Sequence, residues 1–250
     1  ELVKFFLEKK VSPAEQDSRQ RTALHLIIEY SQRGYFKNDY TQNFNNVNNV
    51  DTAVKISIIK LLLEKNPIAL LDKKDNTNKT ALTLALDKQA PEIVSLLLDY
   101  KPKIGLEDTL RWASSGHRKG TLDVLKQLLT DFQFNSTVVT NALHCILLNV
   151  TAEPKILLPI VELLLQKGAI LNSQNERTGR TPLMLAVQQN KEEIVDFFLE
   201  QKDIQVSIID KDALSALNYA AYMSNFNIFE KLIKYYHSNY WNYLKLNFNT

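Results

Sequence analysis

The sequence predicts an all-α repeat protein, a solenoid in which short helix pairs stack on one another. The chain has 250 residues, of which 45% are hydrophobic, so it is long and apolar enough to bury a core. A Thr-x-Leu phrase or a variant of it recurs along the chain, and an apolar segment with helical spacing follows each copy. Because one helix pair cannot hide its apolar face alone, repeated pairs predict a continuous stacked core.

Six copies of the phrase set the register of the repeats. Short polar residues stand two positions before each aligned leucine, where they can accept a backbone hydrogen bond at a helix start. We therefore expect each of them to cap the first helix of its repeat. The leucines are Leu24, Leu82, Leu110, Leu143, Leu183 and Leu217, and the expected caps are Thr22, Thr80, Asp108, Asn141, Thr181 and Ser215.

Two of these segments resemble the ankyrin repeat family. They are "ERTGRTPLMLAVQQNKEEIVDFFLEQ", which includes Gly179 and Pro182, and "DNTNKTALTLALDKQAPEIVSLLLDY", with Asn78 at the glycine position. "QKGAILN" is similar to the turn that links repeats in that family. The resemblance implies an ankyrin-repeat solenoid of about six full repeats and a partial N-terminal one, joined by short β-hairpins or loops. The repeated phrase then builds the fold, and His25 has a structural role at a helix start.

The resemblance extends over a single ankyrin-repeat domain that we place at residues 1–250. The first unit carries an insertion rich in asparagine, which we expect to be flexible because so polar a segment cannot be ordered by burial. The expected boundaries are a partial repeat at 1–16, repeats at approximately 17–72, 73–103, 104–134, 135–172, 173–207 and 208–238, a C-terminal cap at 239–250, and the flexible insertion at 31–51.

Composition and motifs argue against most chemical functions. A formal net charge of +2 predicts no nucleic-acid partner, and the apolar runs are too short for membrane insertion. Cys145 is the only cysteine, which favours a reducing, cytoplasmic compartment. Its neighbour His144 does not face it on a helix, and no histidine or cysteine has zinc-ligand spacing. We therefore predict no catalytic residue, no metal and no cofactor.

The candidate binding residues come from the resemblance, which implies recognition through hairpin tips and the concave face of the first helices. Arginine and tyrosine are the residue types that most often anchor interfaces. We expect Arg180 and Tyr222 to lie outside the stacking core. The candidates are Arg177, Arg180, Gln188, Lys211, Tyr222 and Met223, followed by Arg21, Tyr30, Lys79 and Lys88.

The predicted function is a non-catalytic, monomeric protein–protein interaction module. The many asparagines and lysines and the degenerate repeats resemble ankyrin effectors that intracellular bacteria deliver into host cells, although a protozoan protein would look alike. This resemblance suggests the host-target recognition part of a secreted effector. The alternative is a targeting or substrate-recognition domain of a larger enzyme whose catalytic domain lies outside this chain.

Overall fold

The computed structural model describes residues 12–29, 52–64, 67–115, 120–148 and 153–248. These residues fall into two compact units. The first contains residues 12–112 and 120–128, and the second contains residues 113–115 and 129–248. Most of the predicted partial repeat, Tyr30 and the predicted insertion at 31–51 lie outside the described residues.

All the regular secondary structure of the described residues is helical, apart from one isolated bridge between Ile209 and Ser215. The all-α prediction is therefore confirmed. The helices are α1 (Ala23–Glu29), α2 (Thr52–Leu63), α3 (Pro67–Leu71), α4 (Ala81–Asp87), α5 (Pro91–Asp99), α6 (Leu106–Ser114), α7 (Thr121–Asp131), α8 (Ser136–Leu147), α9 (Pro154–Gln166), α10 (Pro182–Gln188), α11 (Glu192–Leu199), α12 (Ala216–Tyr222) and α13 (Phe226–Phe248).

In the first unit, the first helices of successive repeats pack side by side. α1 contacts α4, and each of them contacts a second helix, α2 or α5. The aligned leucines Leu24 and Leu82 are fully buried, as are Ile59 of α2 and Leu97 of α5. The apolar periodicity therefore places these side chains in one core between the helices.

The second unit repeats this arrangement with more helices. The first helices α8, α10 and α12 follow one another, so that α10 contacts both α8 and α12. The second helices α9, α11 and α13 do the same, with α11 between the other two. Leu143, Phe198 and Leu232 are fully buried, and Leu183 is nearly so.

Three of the expected caps are confirmed in full. Thr80, Thr181 and Ser215 each precede a first helix and accept a hydrogen bond from the backbone N–H three residues later. Two expected caps are wrong. Asp108 lies in the first turn of α6, and Asn141 lies inside α8, whose cap is Asn135. Both helices begin before the expected cap, so the aligned leucine lies further from the start of the helix than it does in α4 or α10.

α13 is longer than the second helices before it. It contains 23 residues, against eight in α11, and its backbone stays helical into the segment at 239–250 that we expected to form a C-terminal cap. The hydroxyl of Tyr236 donates to the carbonyl oxygen of Val206 at 2.8 Å, which attaches this helix to the preceding loop. No helix in the part of the chain that the structure describes has the length and apolar character needed to cross a bilayer.

Candidate functional site

The hairpin tips are built on one recurring side-chain turn. Asp17, Asp75 and Asp210 each accept hydrogen bonds at about 2.9 Å from the backbone N–H groups two and four residues later. Asn175 does the same for the groups two and three residues later. Asp and Asn favour such turns because their short side chains reach the backbone that follows. The chain therefore presents its tips on a locally rigid backbone.

Each of these tips contains a residue in the left-handed backbone region. Asn78 has a φ of 64° and Gly179 a φ of 75°, which fits their alignment with the family's glycine. Gln20 and Ala213 take the same position with φ values of 59° and 60°. A side chain costs free energy in this region, and at Gly179 an added Cβ would lie only 2.9 Å from the backbone nitrogen of Lys211.

Neighbouring tips are joined by backbone hydrogen bonds within each unit. In the first unit, the N–H of Asn76 donates to the carbonyl oxygen of Arg19 at 3.0 Å. In the second unit, the N–H of Lys211 donates to the carbonyl oxygen of Thr178 at 3.1 Å. Among the sequence candidates, Arg177 and Lys211 are exposed on these tips. The second unit therefore holds two exposed basic side chains on neighbouring, connected tips.

A second recurring feature connects each tip to the end of its first helix. The residue just before the helix cap contacts the last residue of that helix, eight positions later. Hydrogen bonds to Asp17 and Glu29 raise the pKa of Arg21, and a hydrogen bond to Asp87 raises the pKa of Lys79. Arg21 and Lys79 are therefore already ion-paired. The three contacts are Arg21–Glu29 at 2.7 Å, Lys79–Asp87 at 2.5 Å and Arg180–Gln188 at 3.0 Å.

Arg180 is also held by the following repeat. Its Nε lies 3.5 Å from a carboxylate oxygen of Asp210, and its guanidinium lies 5.1 Å from the centre of the Tyr219 ring. The side chain is only 23% exposed. The expectation that Arg180 lies outside the stacking core is therefore wrong, because the side chain bridges two stacked repeats.

The sixth repeat breaks the pairing pattern. Its equivalent positions hold Leu214 and Tyr222, which cannot form an ion pair. Tyr222 is 85% exposed, as expected, and the adjacent Met223 is 45% exposed. By contrast, the remaining described candidate of the second repeat, Lys88, is half-buried at the end of α4. Exposed aromatic and flexible apolar side chains therefore replace the ion pair in this repeat.

The histidines of the first helices make structural bonds. Nδ1 of His25 lies 2.8 Å from the Thr22 hydroxyl, and its Nε2 lies 3.1 Å from the Lys79 carbonyl oxygen, so the predicted structural role is confirmed. His144 is buried, and its Nε2 lies 2.8 Å from the Ser173 hydroxyl. Its Nδ1 has no partner in the described structure, because Asn141, at the cap position of the repeat register, lies inside the helix.

The described residues show no cluster of three or more potential metal-ligating side chains among histidine, cysteine, aspartate and glutamate. Their geometry is that of stacked helix pairs with hairpin tips, which is the ankyrin repeat architecture. Residues 148–242 match the family model described as ankyrin repeats in three copies. This segment is therefore similar to ankyrin repeats.

Similarity to known proteins extends beyond this segment. The chain is 25% identical over 225 residues to the nuclear factor NF-kappa-B p105 subunit of Gallus gallus, and 26% identical over 161 residues to Rabankyrin-5 of Mus musculus. These alignments cover 83% and 59% of this chain, but only 19% and 13% of those proteins. The chain thus spans less than a fifth of the length of either relative.

A solved structure supports the same fold. The crystal structure of EF0377, an ankyrin repeat protein, superimposes with a TM-score of 0.55 at 23% identity. The match covers 72% of this chain and 92% of the other. At this identity the similarity establishes the fold and not the partner.

Proposed function

We propose that this chain is a protein-binding module whose main contact surface lies on the hairpin tips and first-helix ends of the fifth and sixth repeats. We call this the tip surface, and it contains Arg177, Lys211, Tyr222 and Met223. Ankyrin repeats generally mediate protein–protein interaction.

The observation that carries this proposal is the exposure of Tyr222. The equivalent residues Glu29 and Asp87 are engaged in ion pairs, whereas Tyr222 extends into solvent at 85% exposure. Tyrosine and arginine supply a large share of the binding free energy at protein interfaces. Arg177 and Lys211 add two basic side chains to this surface, which favours a partner with an acidic and partly apolar face.

The first two repeats are weaker candidates for the contact surface, because Arg21 and Lys79 are already ion-paired. An incoming acidic group would have to compete with Glu29 for Arg21 and with Asp87 for Lys79. Such competition removes most of the gain from a new ion pair. We therefore place Arg21 and Lys79 outside the main contact surface, and with them Lys88, which is half-buried.

The test combines Arg177→Glu with Tyr222→Ala. Affinity capture from a cell lysate with mass spectrometry first identifies a partner, and calorimetry then measures its affinity for each variant. We expect the double variant to bind more than about tenfold more weakly, because an aromatic anchor and a complementary charge are both lost. Arg180 is left intact, because its replacement would also remove the contact with Asp210.

Arg19→Glu is the matched control. Arg19 is exposed two residues after Asp17, as Arg177 is two residues after Asn175, so each arginine follows its turn-forming side chain at the same distance along the chain. Its variant should bind within twofold of wild type. Loss of binding in Arg19→Glu, with the double variant unaffected, would move the contact surface to the first repeat.

Two finer proposals concern the setting in which this module acts. The effector hypothesis rests on the many asparagines and lysines and on the degenerate repeats, and the two relatives are vertebrate proteins. The alternative, a targeting domain of a larger enzyme, requires a catalytic domain elsewhere in the polypeptide. The full-length sequence and its source would decide both, whereas the monomeric state can be measured by sedimentation of the chain itself.

A further inference from the structure

A cluster of lysines lies in the first unit, on two loops that the proposed tip surface does not use. The first loop, residues 72–74, follows α3, and the second, residues 101–104, lies between α5 and α6. Together they contain four lysines and a single carboxylate, that of Asp72. We call these two segments the lysine loops, and their lysines, all of which are exposed, are Lys73, Lys74, Lys101 and Lys103.

Hydrogen bonds hold the lysine loops next to each other. A carboxylate oxygen of Asp72 accepts from the backbone N–H of Lys103 at 3.1 Å and from that of the following residue at 3.3 Å. The first repeat adds a further connection, because the side-chain amide of Gln16 donates to the carbonyl oxygen of Lys74 at 3.1 Å. The same amide accepts from Nζ of Lys73 at 3.4 Å. The lysines therefore lie on a row of connected backbone segments.

The second unit has the same loop arrangement without the lysines. Asn172 stands three residues before the turn-forming Asn175, as Asp72 stands before Asp75, and it accepts from the backbone N–H of Gln205 at 3.0 Å. The matching segments read "NSQ" and "DIQV" there, against "DKK" and "KPKI" in the first unit. The packing of the loops therefore does not require lysine at these positions.

Neighbouring carboxylates do not neutralise this charge. Within the described chain, Lys73, Lys74 and Lys103 form no ion pair, whereas Lys79 in the same unit is ion-paired. The Asp72 oxygen that holds the second loop is occupied by two backbone N–H groups. An incoming anion therefore does not have to displace a carboxylate from these lysines, as it would at Lys79.

The composition of the lysine loops favours an acidic protein segment over other anions. The loops contain no aromatic side chain on which a base could stack, and no arginine that could bind a phosphate through two parallel hydrogen bonds. Ile104 is 39% exposed beside Lys103, whereas the equivalent Val206 is 8% exposed. One aliphatic side chain is too little to anchor a protein in a membrane, but it can contact an apolar residue of a peptide.

We propose that the lysine loops bind an extended acidic segment of a partner protein, with carboxylates at Lys73, Lys74 and Lys103 and an aliphatic side chain on Ile104. Packed helices lie about 10 Å apart, and an extended chain rises about 3.3 Å per residue. Acidic residues three positions apart can therefore reach successive loops. The contact is separate from the tip surface, and it depends on salt because the lysines are exposed.

The probe is a fluorescein-labelled peptide of about 12 residues, roughly 40 Å when extended, with glutamate at every third position, one central leucine, and serine and glycine elsewhere. Fluorescence anisotropy measures its binding to the whole chain in about 0.05 M NaCl. We expect a dissociation constant below about 300 μM. Lys73→Glu with Lys103→Glu should weaken binding at least tenfold, and raising NaCl to about 0.3 M should weaken it at least fivefold.

Two double variants serve as controls. Lys155→Glu with Lys202→Glu changes the net charge equally at exposed lysines of the second unit, and Arg177→Glu with Tyr222→Ala alters the tip surface. Both should bind the peptide within twofold of wild type, and circular dichroism verifies that every variant is folded. Because the tip surface is tested with a cellular partner and the lysine loops with this peptide, either proposal can fail without the other.

Three results would overturn the proposal. The first is no saturable binding at about 1 mM peptide. The second is an equal loss of binding in the two double lysine variants, which would assign the binding to net charge. The third is a single-stranded oligonucleotide or an anionic phospholipid vesicle that binds at least tenfold more tightly than the peptide and is lost in Lys73→Glu with Lys103→Glu, which would assign the lysine loops to that partner.

Discussion

Replacement of Asp210 by alanine should destabilise the second unit, because this carboxylate organises the tip of the sixth repeat. Its side chain is fully buried and accepts hydrogen bonds from the N–H groups of Asp212 and Leu214 and from the Tyr219 hydroxyl. Burial alone would raise the pKa of Asp210, but the hydrogen bonds, first that from Tyr219, outweigh it and hold the pKa below its usual value. The group is therefore a carboxylate at neutral pH.

The expected magnitude follows from these three bonds. A buried hydrogen bond to a charged group contributes about 2 kcal/mol, which applies to the one from Tyr219. The two turn amides belong to exposed residues that can turn toward water, so each contributes about 0.5 kcal/mol. Asp210→Ala should therefore lower the free energy of unfolding by about 3 kcal/mol.

Asp210→Asn measures the contribution of the turn hydrogen bonds separately from that of the negative charge. Asn175 makes a similar turn with a neutral amide, whose oxygen accepts from two backbone N–H groups, so the amide oxygen of asparagine at position 210 should also accept from the turn backbone. It loses the negative charge that faces Tyr219 and Arg180. We expect a loss of about 1.5 kcal/mol, half of that for alanine.

Urea denaturation followed by circular dichroism measures these differences, with Asp212→Ala as an exposed control on the same tip. The denaturant slope should be the same for all variants if only the native state is affected. If Asp210→Ala lay within about 0.5 kcal/mol of wild type, the carboxylate would not organise the tip. If asparagine were as damaging as alanine, the equivalence with Asn175 would be wrong.

Two further predictions concern single residues. Gly179→Ala should destabilise the second unit by more than about 1 kcal/mol, because the left-handed φ and the nearby backbone nitrogen of Lys211 both oppose a Cβ. Ala213→Gly should raise the melting temperature, because glycine adopts the left-handed φ at that position without strain. Burial lowers the pKa of His144 below 6.5, so the unfolded chain takes up a proton first, and the free energy of unfolding should fall as the pH drops from 7 to about 5.

Each of these two predictions has its own control. For the first, an Ala213→Gly variant that melts below wild type would show that the left-handed backbone is not strained there. For the second, denaturation at several pH values gives the free energy of unfolding as a function of pH. This free energy should depend less on pH in His144→Gln than in wild type. A pH dependence that His144→Gln leaves unchanged would assign it to another group.

The sequence predicted the local elements well because their signals are local. The helical spacing of apolar residues places α4 and α10, and the hydroxyl groups of Thr80 and Thr181 cap them. Asn78 takes the left-handed backbone that its alignment with a glycine suggests. Where the local signal was ambiguous the prediction was wrong: Asp108 and Asn141 have the side chains of caps, yet each lies inside a helix that begins earlier.

The candidate site could be predicted only in part. Sequence reasoning placed Tyr222 correctly on the surface, but it missed that Arg180 is held by Asp210 and Tyr219 of the following repeat. That contact depends on how two repeats dock, so residue type alone could not reveal it. A signal was present in the spacing, since Arg21, Lys79 and Arg180 all stand just before a helix cap with a partner eight positions later.

By itself, then, the sequence determined the helix pairs, half of their caps and the turns between them, because backbone preference and apolar periodicity act over a few residues. The tertiary structure alone decided which of the patterned side chains are covered. Val187 and Ala221 occupy the same position in successive repeats, and both fit a core pattern, yet one is buried and the other is exposed. The difference arises because burial depends on whether a neighbouring helix lies against that face, and a repeating pattern is the same with or without that neighbour.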